Sequence, residues 1–405
     1  MARSFSASMV GIGSALFSAA GLLSTFANLG LSIGLVRFVP EVANGARRLV
    51  NSVALAIGVV ALFASLVFMG GAPVWSPALG FLTRNYLLGL GFMILTAITA
   101  VSNLFDFSFI ARRSAKYTFW KNLIVGLAKI PLPGLVFFAL GGYGIFLGNG
   151  LAVALAVIVA FTFFMRKAYP PQVFVGGMDF GLLLRILPFS LGNYLETLFI
   201  QAIGYVLPLM VLNVKGAEIN AYFYVAWMMA SVIAIVPNGV SISLFAECSH
   251  HPERLSHYVK RSLWLSLALL VPAVGIEWIL TPWLLGFFGH GYAAYGAETV
   301  RWLLFANFPL AISSFYNAVN QVRKKMTYII LQAFAMSVLT LGMSYLLLIQ
   351  MGLPGIGIAY ALANLIVALV VAVPLWRAVM EVPRGQVMMD VEIAATSEAV
   401  PANEG

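Results

Sequence analysis

The chain has 405 residues, of which 61% are hydrophobic and 9% are charged, and its mean hydropathy is +0.97. Soluble domains carry about a quarter charged residues, so this composition excludes a water-soluble globular fold and predicts a membrane protein. The formal net charge of +9 fits basic cytoplasmic loops, and we expect no nucleic-acid partner. The single cysteine, Cys248, excludes an internal disulfide.

Apolar segments long enough to cross a bilayer follow one another along almost the whole chain. About 20 apolar residues span the hydrocarbon core, and a single segment in lipid can satisfy its backbone groups only as a helix. The sequence therefore predicts an all-α polytopic membrane protein with about eleven transmembrane helices. The predicted spans are residues 7–29, 49–70, 86–108, 118–140, 143–165, 188–212, 219–245, 262–285, 298–320, 327–350 and 354–378.

Lysine and arginine collect in alternate loops. Seventeen of the 23 basic residues follow the odd-numbered spans, whereas four lie in the loops at the other end of the spans. The positive-inside rule makes the basic loops cytoplasmic, so the C-terminus is predicted inside and the N-terminus outside. The expected location is the cytoplasmic membrane, which the chain crosses many times.

Two similar seven-residue stretches, the repeated phrase of this sequence, each lie where an apolar span meets a charged loop. Residues 30–36 read GLSIGLV and residues 239–245 read GVSISLF, an offset of 209 residues. Gly144-Ile145 and Gly355-Ile356 open the fifth and eleventh spans, at an offset of 211. These matches predict a duplication in which two lobes of the same orientation are related by a pseudo-two-fold axis along the membrane normal.

The duplication also predicts the boundaries of the parts. Residues 1–165 form an N-terminal lobe of five spans, residues 166–187 a basic cytoplasmic linker, and residues 188–379 a C-terminal lobe of six spans. Residues 380–405 are polar and acidic and are expected to be a disordered tail. Because the first lobe has one span fewer than the second, we expect the natural protein or its ancestor to carry one more helix before residue 1.

Several stretches, in this order and spacing, resemble the Wzx-type oligosaccharide flippases of the multidrug/oligosaccharidyl-lipid/polysaccharide (MOP) superfamily. The matching stretches are NLGLSIGLVRFVPE (28–41), DFSFIARRSAKY (106–117), LAKIPLPG (127–134), AYFYVAWMMAS (221–231), SISLFAECSH (241–250) and NQVRKK (320–325). The resemblance implies two six-helix lobes around a central cavity. It also implies flipping of an isoprenoid-pyrophosphate-linked oligosaccharide for cell-surface polysaccharide synthesis. A polysaccharide polymerase or glycosyltransferases are then the candidate partners.

Ionisable side chains deep in a span are costly and usually functional. Lys129 lies near the middle of the fourth predicted span, and Asn122, Gly126, Lys129 and Pro133 share one helix face by their spacing. We expect Lys129 to contact the pyrophosphate and Asn122 to line the same cavity wall. A lysine that pairs with a neighbouring carboxylate, or snorkels along a kink, is the structural alternative.

Other polar residues are weaker candidates for the cavity. Glu196 and Asn193 share a face of the sixth span, where Glu196 could couple an ion, contact the headgroup or pair with Lys129 across the lobes. Arg185 could attract an anion at the cytoplasmic mouth of the cavity, or it could act only as a positive charge that sets the orientation of the chain in the membrane. Asp106 lies near the cytoplasmic end of its span and is the one acid in the first lobe that could serve a cation-coupled drug exporter.

A cation-coupled multidrug exporter of the same superfamily and a membrane glycosyltransferase or polymerase remain the alternatives to a flippase. The sequence has no Asp-x-Asp pair, phosphate-binding glycine loop or nucleophile elbow, so an enzyme is not expected. No cofactor is expected. The stretch CSHHPERLSH (248–257) matches no familiar metal-ligand spacing, so no metal site is predicted either.

Overall fold

A computed structural model describes residues 5–40, 46–169, 180–250 and 254–380, and these residues are almost entirely helical. The helices are α1 Ala7–Asn28, α2 Leu31–Phe38, α3 Ala46–Trp75, α4 Phe81–Arg84, α5 Tyr86–Ala111, α6 Ala115–Ala128, α7 Leu132–Val159, α8 Met165–Ala168, α9 Phe180–Lys215, α10 Ala217–Ile233, α11 Ile235–His250, α12 Leu255–Gly286, α13 His290–Phe305, α14 Asn307–Val322, α15 Met326–Met351 and α16 Leu353–Met380. A 3-10 turn at Pro77–Leu79 and a π-helical turn at Ala160–Phe164 complete the described structure.

Nine helical stretches of the described chain are long and apolar enough to cross a membrane. They match nine of the eleven predicted spans, and the other two are helical but interrupted. The span 118–140 breaks at Lys129–Pro131, between α6 and α7, and the span 298–320 breaks at Ala306, three residues before Pro309. A proline lacks the backbone donor and clashes with the preceding turn, which explains why both breaks lie beside one.

Helix α7 folds back on itself at Gly141, whose φ of +55° places it in the left-handed region. A Cβ atom on Gly148 would overlap the backbone of Pro133, so the two legs of α7 lie side by side. The first leg, up to residue 140, completes the fourth predicted span and the second leg forms the fifth. Glycine is needed at this bend because side chains disfavour positive φ.

The two lobes repeat each other in detail. Helices α3 and α12 begin 209 residues apart, and α6 and α15 begin 211 residues apart. The turns before α6 and α15 share a further feature: Arg113 and Lys324, also 211 residues apart, have left-handed φ values of +53° and +56°. The predicted arrangement of two pseudo-symmetric lobes is confirmed.

Helix α9 begins at Phe180, inside the segment predicted as a linker, and it packs along both α15 and α1. Residues 170–179 and 381–405, on which the linker and tail predictions largely fall, lie outside the described residues. The counterpart of α15 in the first lobe is α6, whose Phe119, Trp120 and Leu127 are more than half exposed. The α15 positions equivalent to Trp120 and Leu127 are Leu331 and Val338, which are also more than half exposed, so this face is exposed in both lobes.

Candidate functional site

One face of α1 connects the two lobes. Ser14, Phe17, Gly21 and Thr25 follow one another at spacings of three and four residues, so their side chains lie along a single stripe. Three of these positions meet different helices: Ser14 contacts α10, Phe17 contacts the end of α6, and Gly21 contacts α9. This stripe therefore forms the central wall on which groups from both lobes converge.

The lobes touch near the N-terminal ends of α1 and α10. The buried side-chain amide of Asn220 donates hydrogen bonds to the Gly11 carbonyl oxygen at 2.8 Å and to Ser14 Oγ at 3.2 Å. A Cβ atom on Gly11 would overlap the carbonyl oxygen of Ala217. At the same end, the Ser76 hydroxyl donates to Asn213 Oδ1 at 3.2 Å. These contacts close the molecule at the end opposite the basic loops.

Lys129 lies at the middle of this wall. It follows the last residue of α6, and its Nζ is 5.2 Å from the centroid of the Phe17 ring. Phe17 is halfway along α1, so Lys129 is placed at mid-depth of the helix bundle. The side chain is half-buried and forms no ion pair with a described carboxylate. The structure thus places the Lys129 side chain at mid-depth beside α1, and its contact with a substrate stays a prediction.

Aromatic and hydroxyl groups from the second lobe continue the wall. Tyr205 of α9 packs against Gly21 and lies beside Thr25, and Tyr224 of α10 lies beside Tyr205. A small cavity of about 50 Å³ follows along α10, where Trp227 meets the Tyr360 ring edge-on at 5.2 Å. No sequence pattern indicates Tyr205 or Tyr360, because their positions beside Gly21 and Trp227 depend on how α9 and α16 pack.

Glu196 is half-buried near the middle of α9, and no hydrogen bond or ion pair joins it to another described residue. Tyr194, two residues earlier, donates to the carbonyl oxygen of Phe26 at 2.9 Å, close to the end of α1. Phe26 is nine residues beyond Phe17, a separation of about 14 Å along a helix. Glu196 and Lys129 therefore lie at different depths and do not pair, which removes the proposed structural partnership between them.

Asp106 lies inside the first lobe. Its Oδ2 is 2.7 Å from Lys121 Nζ, and the lysine, which is 1% exposed, also donates to Ser102 Oγ at 2.8 Å and to the Ser102 carbonyl oxygen at 2.9 Å. Asn122 is exposed and lies beside the same carboxylate. Asp106 Oδ1 has no hydrogen-bond partner among the described residues. This network joins α5 to α6 and is separate from the α1 stripe.

The last two candidates, Arg185 and Asn193, belong to α9, but their side chains lie outside the described residues. Among the described residues, no group of three or more His, Cys, Asp or Glu side chains is arranged to hold a metal ion. Cys248 is fully buried.

No protein-family model and no curated protein sequence matches this chain. Similar solved structures do exist. A multidrug resistance MATE family transporter of the MOP superfamily in its inward-facing conformation has a TM-score of 0.68 at 14% identity, covering 92% of this chain and 90% of its own. An outward-facing structure with the same description has a TM-score of 0.59 at 15% identity, covering 92% of this chain and 87% of its own.

A third similar structure is a MOP superfamily transporter from Pyrococcus furiosus, with a TM-score of 0.60 at 13% identity. It covers 92% of this chain and 87% of that one. Identities this low establish the fold and leave the substrate open. The nearly all-helical architecture, the two repeated lobes and these structural similarities together show that the chain is a multi-pass membrane protein with the fold of the MATE transporters of the MOP superfamily.

Proposed function

We propose that the protein is a flippase for an isoprenoid-pyrophosphate-linked oligosaccharide. The observation that carries the proposal is Lys129, a mid-depth cation on the wall where the lobes converge, without a carboxylate partner among the described residues. A pyrophosphate crossing a bilayer must avoid the cost of entering hydrocarbon as an ion, which reaches tens of kcal/mol by idealised estimates. A fixed cation at mid-depth stabilises the anion where that cost is highest.

The second lobe supplies groups that suit a sugar. Tyr205, Tyr224, Trp227 and Tyr360 present ring faces and hydroxyl groups along the same wall. Aromatic rings bury the apolar faces of ligands, and the hydroxyl and indole groups offer hydrogen bonds. A headgroup with its phosphates at Lys129 would place its sugars against this aromatic surface.

A largely apolar cleft of about 390 Å³ lies between the lobes at the end opposite the basic loops. Its lining includes Leu22, Phe68, Val206 and Tyr345, contributed by α1, α3, α9 and α15. An apolar cleft between lobes allows an isoprenoid chain to remain in contact with lipid while its headgroup occupies the polar wall. The apolar chain of the substrate would thus lie in the apolar cleft, and its charged headgroup would lie at the polar wall.

The present conformation corresponds to the start of the cycle if the basic end is cytoplasmic, as the distribution of lysine and arginine indicates. The lobes touch at the opposite end through Asn220 and Asn213. The TM-score with the inward-facing MATE structure also exceeds that with the outward-facing one. Rocking of the lobes would then expose the same wall to the outer side.

A cation-coupled multidrug exporter is the second candidate, and Glu196 favours it. This carboxylate is half-buried and is not paired with any described residue, so it could bind a proton or a cationic drug. Against this, the first-lobe acid Asp106 is paired with Lys121 inside its lobe. The Pyrococcus furiosus transporter is described as having a binding pocket of reversed polarity that suggests a different function. The cation at Lys129 is compatible with an anionic substrate here as well.

The test is flipping in liposomes that carry a fluorescent isoprenoid-pyrophosphate saccharide in both leaflets, with an impermeant quencher outside. The wild-type protein should give complete quenching, whereas protein-free liposomes stop at about half because only the outer leaflet is reached. Lys129→Gln should return quenching to that level and Lys129→Arg should retain it. The matched control is Lys116→Gln, an exposed lysine at the basic end of the same helix.

The exporter interpretation gives the opposite pattern. It predicts no flipping by the wild-type chain, together with proton-driven uptake of a cationic dye into inverted vesicles that Glu196→Gln abolishes. Lys129→Gln should leave that uptake intact or increase it, because it removes a repelling charge. Dye transport without flipping would overturn the flippase proposal.

A further inference from the structure

A polar cavity of about 220 Å³ opens at the basic end of the second lobe, between α14, α15 and α16. We name it the C-lobe pocket. Among the described residues, its lining contains three cationic residues and no carboxylate. The lining residues are Tyr316, Val319, Asn320, Arg323, Lys325, Tyr328, Pro374, Leu375, Arg377 and Ala378.

The pocket is built by the turn between α14 and α15. Lys324 adopts its left-handed conformation, and the backbone N–H of Lys325 then donates to the Asn320 carbonyl oxygen at 2.8 Å. The Arg323 guanidinium donates to the Ala378 carbonyl oxygen at 2.6 Å, which joins the turn to the end of α16. Lys325 Nζ lies 5.8 Å from the Tyr328 ring centroid. These bonds hold the cationic groups around one space.

The first lobe has the same turn, but a buried tyrosine ring occupies the corresponding space. Arg112 is the repeat counterpart of Arg323, and its guanidinium lies 4.9 Å from the ring centroid of Tyr169. Tyr169 is 1% exposed and donates to the Ser108 carbonyl oxygen at 2.8 Å. Burial raises the pKa of the Tyr169 hydroxyl to about 12, so the side chain is neutral. Its ring fills the corner of the first lobe, the space beside the turn before α6 that is equivalent to the C-lobe pocket. The counterpart of Tyr169 in the second lobe is Met380, which is exposed.

The two corners also differ in the polarity of their walls. The first lobe places Phe105 and Phe109, both buried, where the second lobe places Tyr316 and Asn320. The second lobe thus differs in two ways from the first at this place. It lacks a ring equivalent to that of Tyr169, so the space is open, and the residues that line the space are polar instead of apolar. A corner that had lost its plug by chance would keep apolar walls, so the paired change indicates a site that accepts a ligand.

The surroundings of the pocket identify the kind of anion. Val373 and Trp376, on α16 beside the lining residues, are 55% and 56% exposed, and Tyr328 is 52% exposed. Exposed apolar and aromatic side chains at the end of a membrane helix face the lipid interface. Basic pockets between membrane helices at the positively charged side bind acidic lipid headgroups. We propose that the C-lobe pocket binds the phosphate of an acidic phospholipid from the leaflet at the basic end.

The test uses the full chain in detergent with added dioleoylphosphatidylglycerol, and measures bound lipid by native mass spectrometry and the unfolding midpoint. The wild-type protein should retain one phosphatidylglycerol molecule in preference to phosphatidylcholine, and the midpoint should rise with that lipid. Lys325→Gln/Arg377→Gln should weaken the affinity by about tenfold or more. Arg323 is left unchanged because its bond to Ala378 supports the fold.

The matched control is Lys324→Gln, which removes a neighbouring exposed charge that does not line the pocket. It should change the affinity by less than about twofold, and Lys325→Arg/Arg377→Lys should bind as the wild type does. Equal weakening by Lys324→Gln would show diffuse surface attraction and overturn the proposal. An equal midpoint shift with inorganic phosphate alone would assign the pocket to a soluble anion and overturn the lipid as its source.

Discussion

Asn220 donates its 2.8 Å hydrogen bond to Gly11, the residue 209 positions earlier in the chain. The same offset separates the two copies of the repeated phrase, so Gly11 and Asn220 occupy equivalent positions in the two lobes. Two equivalent positions can touch only close to the axis that relates them. The pseudo-two-fold axis therefore passes between the N-terminal ends of α1 and α10, and this contact is the natural pivot for rocking of the lobes.

We expect Gly11→Ala to separate α1 from α10. The added Cβ atom would meet the carbonyl oxygen of Ala217, and a backbone atom cannot rotate away as a side chain can. Overpacking of this kind costs about 1–3 kcal/mol. The unfolding midpoint in detergent should fall relative to the wild type. The control is Gly70→Ala in α3, where a Cβ atom meets nothing within 4 Å; an equal fall there would contradict the close-contact explanation.

A second prediction concerns a disulfide that would lock the two lobes together at the end opposite the basic loops, where they touch. Ser76 and Asn213 are joined by a 3.2 Å hydrogen bond between the lobes. In a Cys248→Ser background, Ser76→Cys/Asn213→Cys should form a disulfide under mild oxidation, because side chains in contact bring their backbones near the distance a disulfide needs. Transport should stop and return on reduction. Full transport by the oxidised protein would show that this end does not open during the cycle.

The ion pair of the first lobe offers a test of its structural role. Lys121→Met leaves Asp106 without its partner and should cost about 3 kcal/mol, since breaking a buried pair strands the remaining charge. Lys121→Met/Asp106→Leu should recover part of that loss. Unfolding midpoints of the two single variants and the double variant give the coupling. Lys116→Met, an exposed lysine of the same helix, is the control and should change the midpoint little.

Additive effects in that cycle would contradict a direct pairing of Asp106 with Lys121. Loss of transport in a double variant of wild-type stability would give the pair a role in transport as well as in folding.

The pair illustrates how far the sequence could go. Nine of the eleven spans and the repeat were predictable from hydropathy and offsets, whereas the orientation inferred from charge stays a prediction. Asp106 and Lys121 lie seven and eight residues from Arg113, in the turn between α5 and α6. Antiparallel helices joined by that turn bring such positions to the same level. The nearly equal spacing of the two residues from the turn was visible in the sequence, but it predicts the ion pair only if the two helices are assumed to form an antiparallel hairpin.

Other features depend on packing that no pattern within one segment encodes. Tyr205 meets α1 because Gly21 leaves space for its ring, and the two residues are 184 positions apart. The depth difference between Glu196 and Lys129 likewise depends on how α9 slides along α1. Hydropathy places both residues within spans but does not show how far α9 is displaced along α1, so it could not decide whether they pair.

The last prediction separates function from stability at Lys129. An unpaired lysine at mid-membrane costs about 2.5–3.5 kcal/mol on insertion scales, whereas a cation–π contact such as that with Phe17 returns about 0.5–2 kcal/mol. The balance leaves Lys129 destabilising by about 0.5–3 kcal/mol. Lys129→Met should therefore raise the unfolding midpoint while abolishing flipping, and Lys129→Arg should change neither. A lower midpoint for Lys129→Met would identify the lysine as a structural residue and remove the observation on which the proposed function rests.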